Sequence, residues 1–200
     1  MSTHPGIIAI IDMNKLITLP NTALRERSKR VGFVHDEILS LIEDMKKATL
    51  DWEDSREHEV GVALAAVQIN VLKRVVIIRN NFDNKSDKTF QVYLNPEIVK
   101  YSGEIVAEYE GCLSVKDVYG KVPRYTKVKV KAKDLQGNDV RITAEGFLAR
   151  VFQHEIDHTN GIVFVDRIKD NPEAFYKLGI TGKIEELDDE QREAIFSILW

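Results

Sequence analysis

Apolar and polar positions along this chain switch between two periods. From Asp36 onward, Ile38, Leu39, Leu41, Ile42 and Met45 recur at helical spacing. They predict an amphipathic helix capped by Asp36 and ending before the charged stretch Asp51 to Glu59. The next run, Gly61-Val62-Ala63-Leu64-Ala65-Ala66-Val67-Gln68, is small and apolar except for its final amide. Read alone it is a buried segment, but residues this small also let a second backbone come close, as in strand addition. Val75 to Arg79 and Phe90 to Leu94 predict buried strands, the second closed by Asn95-Pro96. Ile98 to Tyr101 and Glu104 to Glu108 predict a hairpin about Ser102-Gly103. Val128, Val130 and Ala132 alternate with lysines, the mark of a strand with one wet face, and Gln136-Gly137-Asn138 turns it back into Val140 to Thr143.

The period then returns to that of a helix. Phe147, Leu148, Val151 and Phe152 share one face and lead into His154, and Asn160-Gly161 supplies a C-terminal cap because glycine accepts the left-handed conformation. A last helix is predicted from Asp188, where Gln191 completes a capping box, to Trp200, with Ile195, Phe196, Leu199 and Trp200 docked on the core. The fold class expected is α+β: mostly antiparallel strands packed around a central helix, with an N-terminal amphipathic helix and a C-terminal helix. With 200 residues and 44% apolar content, and with no repeat, low-complexity segment or linker, one domain over residues 1–200 can bury its own core.

Charge narrows the function classes. The 28 basic and 32 acidic residues are intermixed, for a net charge of −4, so no broad positive face awaits phosphates or anionic lipid. Direct nucleic-acid binding is not expected, and the basic cluster from Arg25 to Arg30 reads as a solvated face. The apolar run Gly6 to Ile11 is short for a signal peptide and lacks a basic flank, and no stretch reaches the length of a membrane span. A cytoplasmic location is expected, with an organelle left open because a targeting peptide can be removed. Cys112 is the only cysteine, so no internal disulfide can form.

The chemistry centres on Gln153-His154-Glu155-Ile156-Asp157-His158. On a helix, His154 and His158 lie one turn apart on one face, where two imidazoles can chelate a divalent ion. Glu155, offset around the helix, can reach a water on that ion without being a ligand. Two partly buried histidines on an amphipathic helix would look the same. A catalytic site normally has three protein ligands, and three sources for the third differ in class. An extended histidine pattern would place it at position 164, which is Phe164. A zinc peptidase could draw on Glu173, Glu185 or Glu186. Upstream, Glu110-Gly111-Cys112-Leu113-Ser114 offers the only thiol.

Taken in order, the Gly61–Gln68, Glu110–Ser114 and Gln153–His158 motifs resemble those of the peptide deformylase family. The similarity runs from the Leu19-Pro20 turn to Asp166 and includes Val122-Pro123-Arg124. The resemblance implies one divalent metal held by Cys112, His154 and His158. Iron(II) is the ion expected in the cell, and zinc, nickel and cobalt are the alternatives such a donor set admits. It also implies that Glu155 moves the proton and that the Gln68 side chain and the Leu113 backbone N–H bind the oxyanion. The reaction implied is hydrolysis of the formyl group from the formyl-methionine of newly made polypeptides, which are then the partners. Val62, Val151 and Arg150 are expected to line the methionine pocket, with Gly61, Val62, Ala63 and Gly111 along the peptide backbone. Glu110 and Arg124 are expected either to pair and hold the cysteine loop or to stand as surface charges. Ala63 occupies a place where the family usually has glycine, so a strained backbone or a narrowed groove is expected there. The acidic C-terminal segment, including Glu185, Glu186, Asp188, Asp189, Glu190 and Glu193, points to only transient contact with a ribosome. Two other readings are an HExxH zinc peptidase and a catalytically impaired module that captures N-terminal peptides.

Overall fold

The computed structural model describes residues 16–200, so the apolar run Gly6 to Ile11 lies outside the described residues. Helix α1, Asp36–Asp54, buries Ile38, Leu41, Ile42, Met45, Ala48, Thr49 and Glu53 on one stripe. Two expectations are corrected here. His35, not Asp36, is the N-cap, and it makes no side-chain capping bond. The helix also continues past Asp51, because Glu53 extends the buried stripe and lies 2.8 Å from Arg79 Nη2 with both side chains shielded from water. A charge pattern read locally cannot foresee that partner, since a buried carboxylate is tolerated only where an opposite charge meets it.

Seven strands form one antiparallel sheet among the described residues. They are β1 (Ala63–Ala65), β2 (Val75–Arg79), β3 (Phe90–Cys112), β4 (Val115–Lys133), β5 (Asp139–Glu145), β6 (Phe175–Leu178) and β7 (Ile184–Glu186). The order is β1-β2-β3-β4-β6-β7, and β5 pairs with the far end of β4. β1 therefore ends the order, and no strand among the described residues pairs with its second edge.

The hairpin expected about Ser102-Gly103 does not occur, and Asn95-Pro96 does not close a strand. β3 runs through both points, and each becomes an irregularity in its pairing with β4: the register shifts between Leu94 and Glu97 and again between Ser102 and Ile105. Asn95 (φ 52°) and Gly103 (φ 76°) adopt the left-handed backbone that either a turn or a bulge can use, so residue type alone does not distinguish the two. The true β3–β4 turn is Leu113-Ser114, inside the cysteine motif. Downstream, Gly137 (φ 82°) makes the expected turn into β5.

Helix α2, Gly146–Thr159, is buried at every position from Ala149 to Thr159. Ala149, Val151, Phe152 and Ile156 pack with Ala63, Ala65, Val76, Val128 and Val130 from the sheet. Its end follows the expected cap. Gly161 has φ 77°, its N–H donates to the His158 carbonyl at 3.1 Å, and a Cβ there would sit 2.4 Å from the Arg25 carbonyl oxygen. The last helix, α3 (Asp189–Leu199), starts at the Asp188–Gln191 capping box, with Asp188 Oδ1 accepting from Gln191 N at 2.8 Å. Leu199 is buried, Ile195 and Phe196 pack beneath, and Trp200 stays half exposed against Phe196 and Phe175.

Candidate metal centre

Two elements deliver the donor atoms. The end of β3 presents Cys112, and α2 presents His154 and His158 from successive turns. All three are buried, and their ligand atoms lie within 4.8 Å of one another, with Cys112 Sγ 3.2 Å from His158 Nε2. Ligands held about 2.0–2.3 Å from one tetrahedral ion stand roughly 3–4 Å apart, so this S/N/N set fits a divalent metal. The outer contacts fit it as well. Glu110 Oε2 lies 3.0 Å from His154 Nδ1, which fixes that nitrogen as the donor and leaves Nε2 as the lone pair.

Glu110 is itself locked. Arg124 reaches its two oxygens at 2.9 and 3.0 Å, and Arg150 Nη1 reaches Oε1 at 2.7 Å. Burial alone would raise the Glu110 carboxyl, but the hydrogen bonds from His154 and Arg124 outweigh it and hold the group well below the usual carboxylate range. Arg124 also meets Asp157 Oδ2 at 2.5 Å, and Asp157 takes a second arginine, Arg167. Of the two roles expected for Glu110 and Arg124, the buried pair is the one present. Arg150 borders the cavity but spends its guanidinium on Glu110 and on the carbonyls of Val106 and Val122. Phe164, the position an extended histidine motif would need, stacks on His154 with ring centroids 6.1 Å apart.

Glu155 is buried, and among the described residues its Oε2 has no hydrogen-bond partner. Burial, and to a lesser degree the charge of Glu110, pushes its carboxyl up to about 7, against the lowering effect of His154. Gln68 sits on the 3-10 turn Ala66–Ile69. Its Oε1 accepts from Ala65 N at 2.9 Å, which aims Nε2 at Ser114 Oγ (3.1 Å) and Cys112 Sγ (3.5 Å). A thiol sulfur is a weak acceptor, so a stronger one can compete for that amide proton.

These groups open onto a cavity of about 310 Å³, lined among others by Val62, Ala63, Gln68, Leu113, Val151 and Glu155. Gly111 borders it too, and a Cβ there would meet the Tyr119 ring at 2.7 Å. Gly61 is placed differently. It faces α1, where a Cβ would lie 2.5 Å from Thr49 Cγ2, and its N–H donates to Glu53 Oε2 at 2.9 Å. Ala63 lies in β1 outside the left-handed region, so its methyl carries no backbone strain. Sequence reasoning passed over Trp52, His58, Glu59, Tyr109 and Tyr119, all on the cavity wall. They come from four separate places in the chain, and no local pattern links them. Of the carboxylates a peptidase could recruit, Glu173 pairs with Arg192, and none joins the Cys112–His154–His158 group among the described residues.

Comparison with known proteins agrees with this arrangement. The family described as polypeptide deformylase matches residues 13–173. The peptide deformylase of Brachyspira hyodysenteriae is 40% identical over 177 residues, covering 88% of this chain and 89% of that protein. That of Thermomicrobium roseum is 43% identical over 158 residues, covering 78% and 85%. Among solved structures, a peptide deformylase from Synechococcus elongatus in complex with actinonin matches with a TM-score of 0.70 at 35% identity, covering 78% of this chain and 80% of that one. A peptide deformylase from Legionella pneumophila matches with a TM-score of 0.69 at 35% identity over 92% and 91%. With the family's match spanning most of the sequence and its three motifs gathered around one buried donor set, the chain belongs to the polypeptide deformylase family.

Proposed function

We propose that this chain is a metal-dependent hydrolase that removes the N-formyl group from the formyl-methionine of newly made polypeptides, releasing formate and a free α-amine. The observation that carries the reading is the convergence of Cys112, His154 and His158 beside the unpartnered Oε2 of Glu155, at a cavity large enough for a peptide end. Cys112, His154 and His158 would hold the ion. When bound, a divalent metal supplies Lewis acidity and lowers the pKa of a water.

The remaining chemistry belongs to side chains of this protein. Glu155 takes the proton from the attacking water and passes it to the amide nitrogen as the formyl carbon–nitrogen bond breaks. Its raised carboxyl suits both directions of transfer near neutral pH. Gln68 Nε2 and the Leu113 N–H donate to the oxygen of the tetrahedral intermediate, where negative charge grows. Val62, Val151 and Leu113 give the methionine side chain an apolar wall. The unpaired edge of β1, with Val62 and Ala63 on the cavity, is where an extended peptide adds as a strand.

Iron(II) is the resident ion in this reading, with zinc, nickel and cobalt also compatible with a thiolate and two imidazoles. The partners are nascent formyl-methionyl chains, which places the protein in the cytoplasm or in an organelle that makes its own polypeptides. No helix among the described residues is long and apolar enough to cross a membrane. The acidic C-terminal segment makes any ribosome contact transient, since it repels RNA phosphates.

Formate release from formyl-Met-Ala-Ser tests the proposal. The metal-loaded protein is expected to release formate, and Glu155→Ala to slow it by roughly 10²–10⁴-fold. Cleavage of the peptide bonds without formate would favour the peptidase, and peptide binding without either would mark an inactive capture module.

A further inference from the structure

Residues 55–60, in the loop between α1 and β1, supply part of the cavity wall through His58, Glu59 and Val60. Its placement depends on contacts remote in sequence. Tyr119 of β4 donates its hydroxyl to Glu59 Oε1 at 2.7 Å. Arg56 Nη1 lies 2.5 Å from Asp117 Oδ1 and 3.4 Å from Glu59 Oε2. The end of the loop is anchored where Gly61 N–H meets the buried Glu53 carboxylate. The β6–β7 turn braces it from outside, since a Cβ on Gly182 would lie 2.6 Å from the His58 ring.

Tyr119 links this loop to the cysteine motif, because its ring covers Gly111, the residue before Cys112. Burial, and then the bond to Glu59, raise its phenol above the ordinary range, so it stays the donor. Among the described residues, no hydrogen bond runs from residues 55–60 to Cys112, His154, Glu155 or His158. The loop thus borders the substrate space, meets the cysteine motif only through the Tyr119 ring, and makes no hydrogen bond of its own to the reacting groups.

Resting on the deformylase reading above, we propose that Tyr119 and Glu59 are positioning residues. They clamp the wall against which the peptide residues after methionine lie, and so set recognition of the downstream peptide. The apolar wall beside α2 takes the methionine, which leaves the polar loop side for the second and third residues of the substrate.

The test is a KM-against-kcat comparison on two substrates, formyl-Met-amide and formyl-Met-Ala-Ser. Loss of a hydrogen bond to a charged acceptor in Tyr119→Phe is expected to raise KM for the tripeptide roughly tenfold. The kcat should stay within about twofold, and KM for formyl-Met-amide should not move. Glu59→Ala should reproduce this split, and Glu59→Gln, which keeps an acceptor for the hydroxyl, should restore most of the lost affinity. Equal KM changes on both substrates, or none on either, would overturn the clamp. Should Tyr119→Phe fail to fold, the Glu59 pair decides by the same readout. A wild-type protein that releases no formate overturns the deformylase reading instead, so the two failures are distinguishable.

Discussion

Glu110 and His154, 44 positions apart in the chain, meet at 3.0 Å between Oε2 and Nδ1 inside the protein. The carboxylate is held in turn by Arg124 and Arg150, so the orientation of a candidate ligand imidazole depends on charges from β4 and α2 together. Such outer partners usually govern affinity for the ion. Glu110→Gln is expected to weaken metal binding about 10–100-fold. Competition against a chromogenic chelator would measure it, and an unchanged affinity would remove Glu110 from this role.

The oxyanion role proposed for Gln68 makes a separate prediction. Replacing it with Leu removes a donor aimed at the reacting centre while leaving a buried side chain of similar size. The cost expected is about 2.7–4 kcal/mol of transition-state stabilisation, seen as a fall in kcat of roughly 10²–10³-fold. Full kcat in the variant would reject the assignment.

Stripping the ion should leave the fold intact, because α2 is fixed by packing along its whole buried length and not by its ligands alone. The apo protein should keep its far-UV circular dichroism. Its melting temperature should drop by roughly 5–10 °C relative to protein in metal at about 100 times Kd, where linkage contributes about 2.7 kcal/mol. A chelated sample that unfolds at room temperature would show that the metal organises the fold.

Adding a methyl at Gly61 and removing one at Ala63, its neighbour but one, should both destabilise the protein, for different reasons. Gly61→Ala drives a methyl into Thr49 at 2.5 Å and strains the loop anchored on Glu53. A destabilisation of about 1–3 kcal/mol is expected, read by urea titration. Ala63→Gly relieves nothing in the backbone. It should lower stability by about 0.5–1 kcal/mol, as glycine does in a strand, while kcat/KM stays within about twofold. A large gain in kcat/KM would show instead that the methyl narrows the peptide groove.

Much of this protein is legible in its residues, and the reason is locality. The helical face of Leu148, Val151 and Phe152 leading into His154, the Asp188–Gln191 box and the Asn160-Gly161 cap are all set within a turn or two of chain, although Phe147, expected on that face, stands 47% exposed. The spacing of His154 and His158 follows from helical geometry alone. What misled was equally local: Gly103 and Asn95 have the chemistry of turns, and only pairing with β4 makes them bulges within one long strand. The charge on Glu53 signals a helix end until Arg79 is brought to it across the fold.

By itself, then, the order of residues determined the secondary elements around the histidines, the supply of one thiol, and the kinship with the deformylases. Tertiary structure alone decided that Glu110 orients His154, that Arg150 is spent on holding Glu110, and that Tyr119 and Glu59 meet at the cavity wall. Periodicity records which face a side chain presents, a property of neighbouring residues. The neutralisation of a buried charge depends on whatever lies within a few ångströms, and that is known only once distant parts of the chain have been packed together.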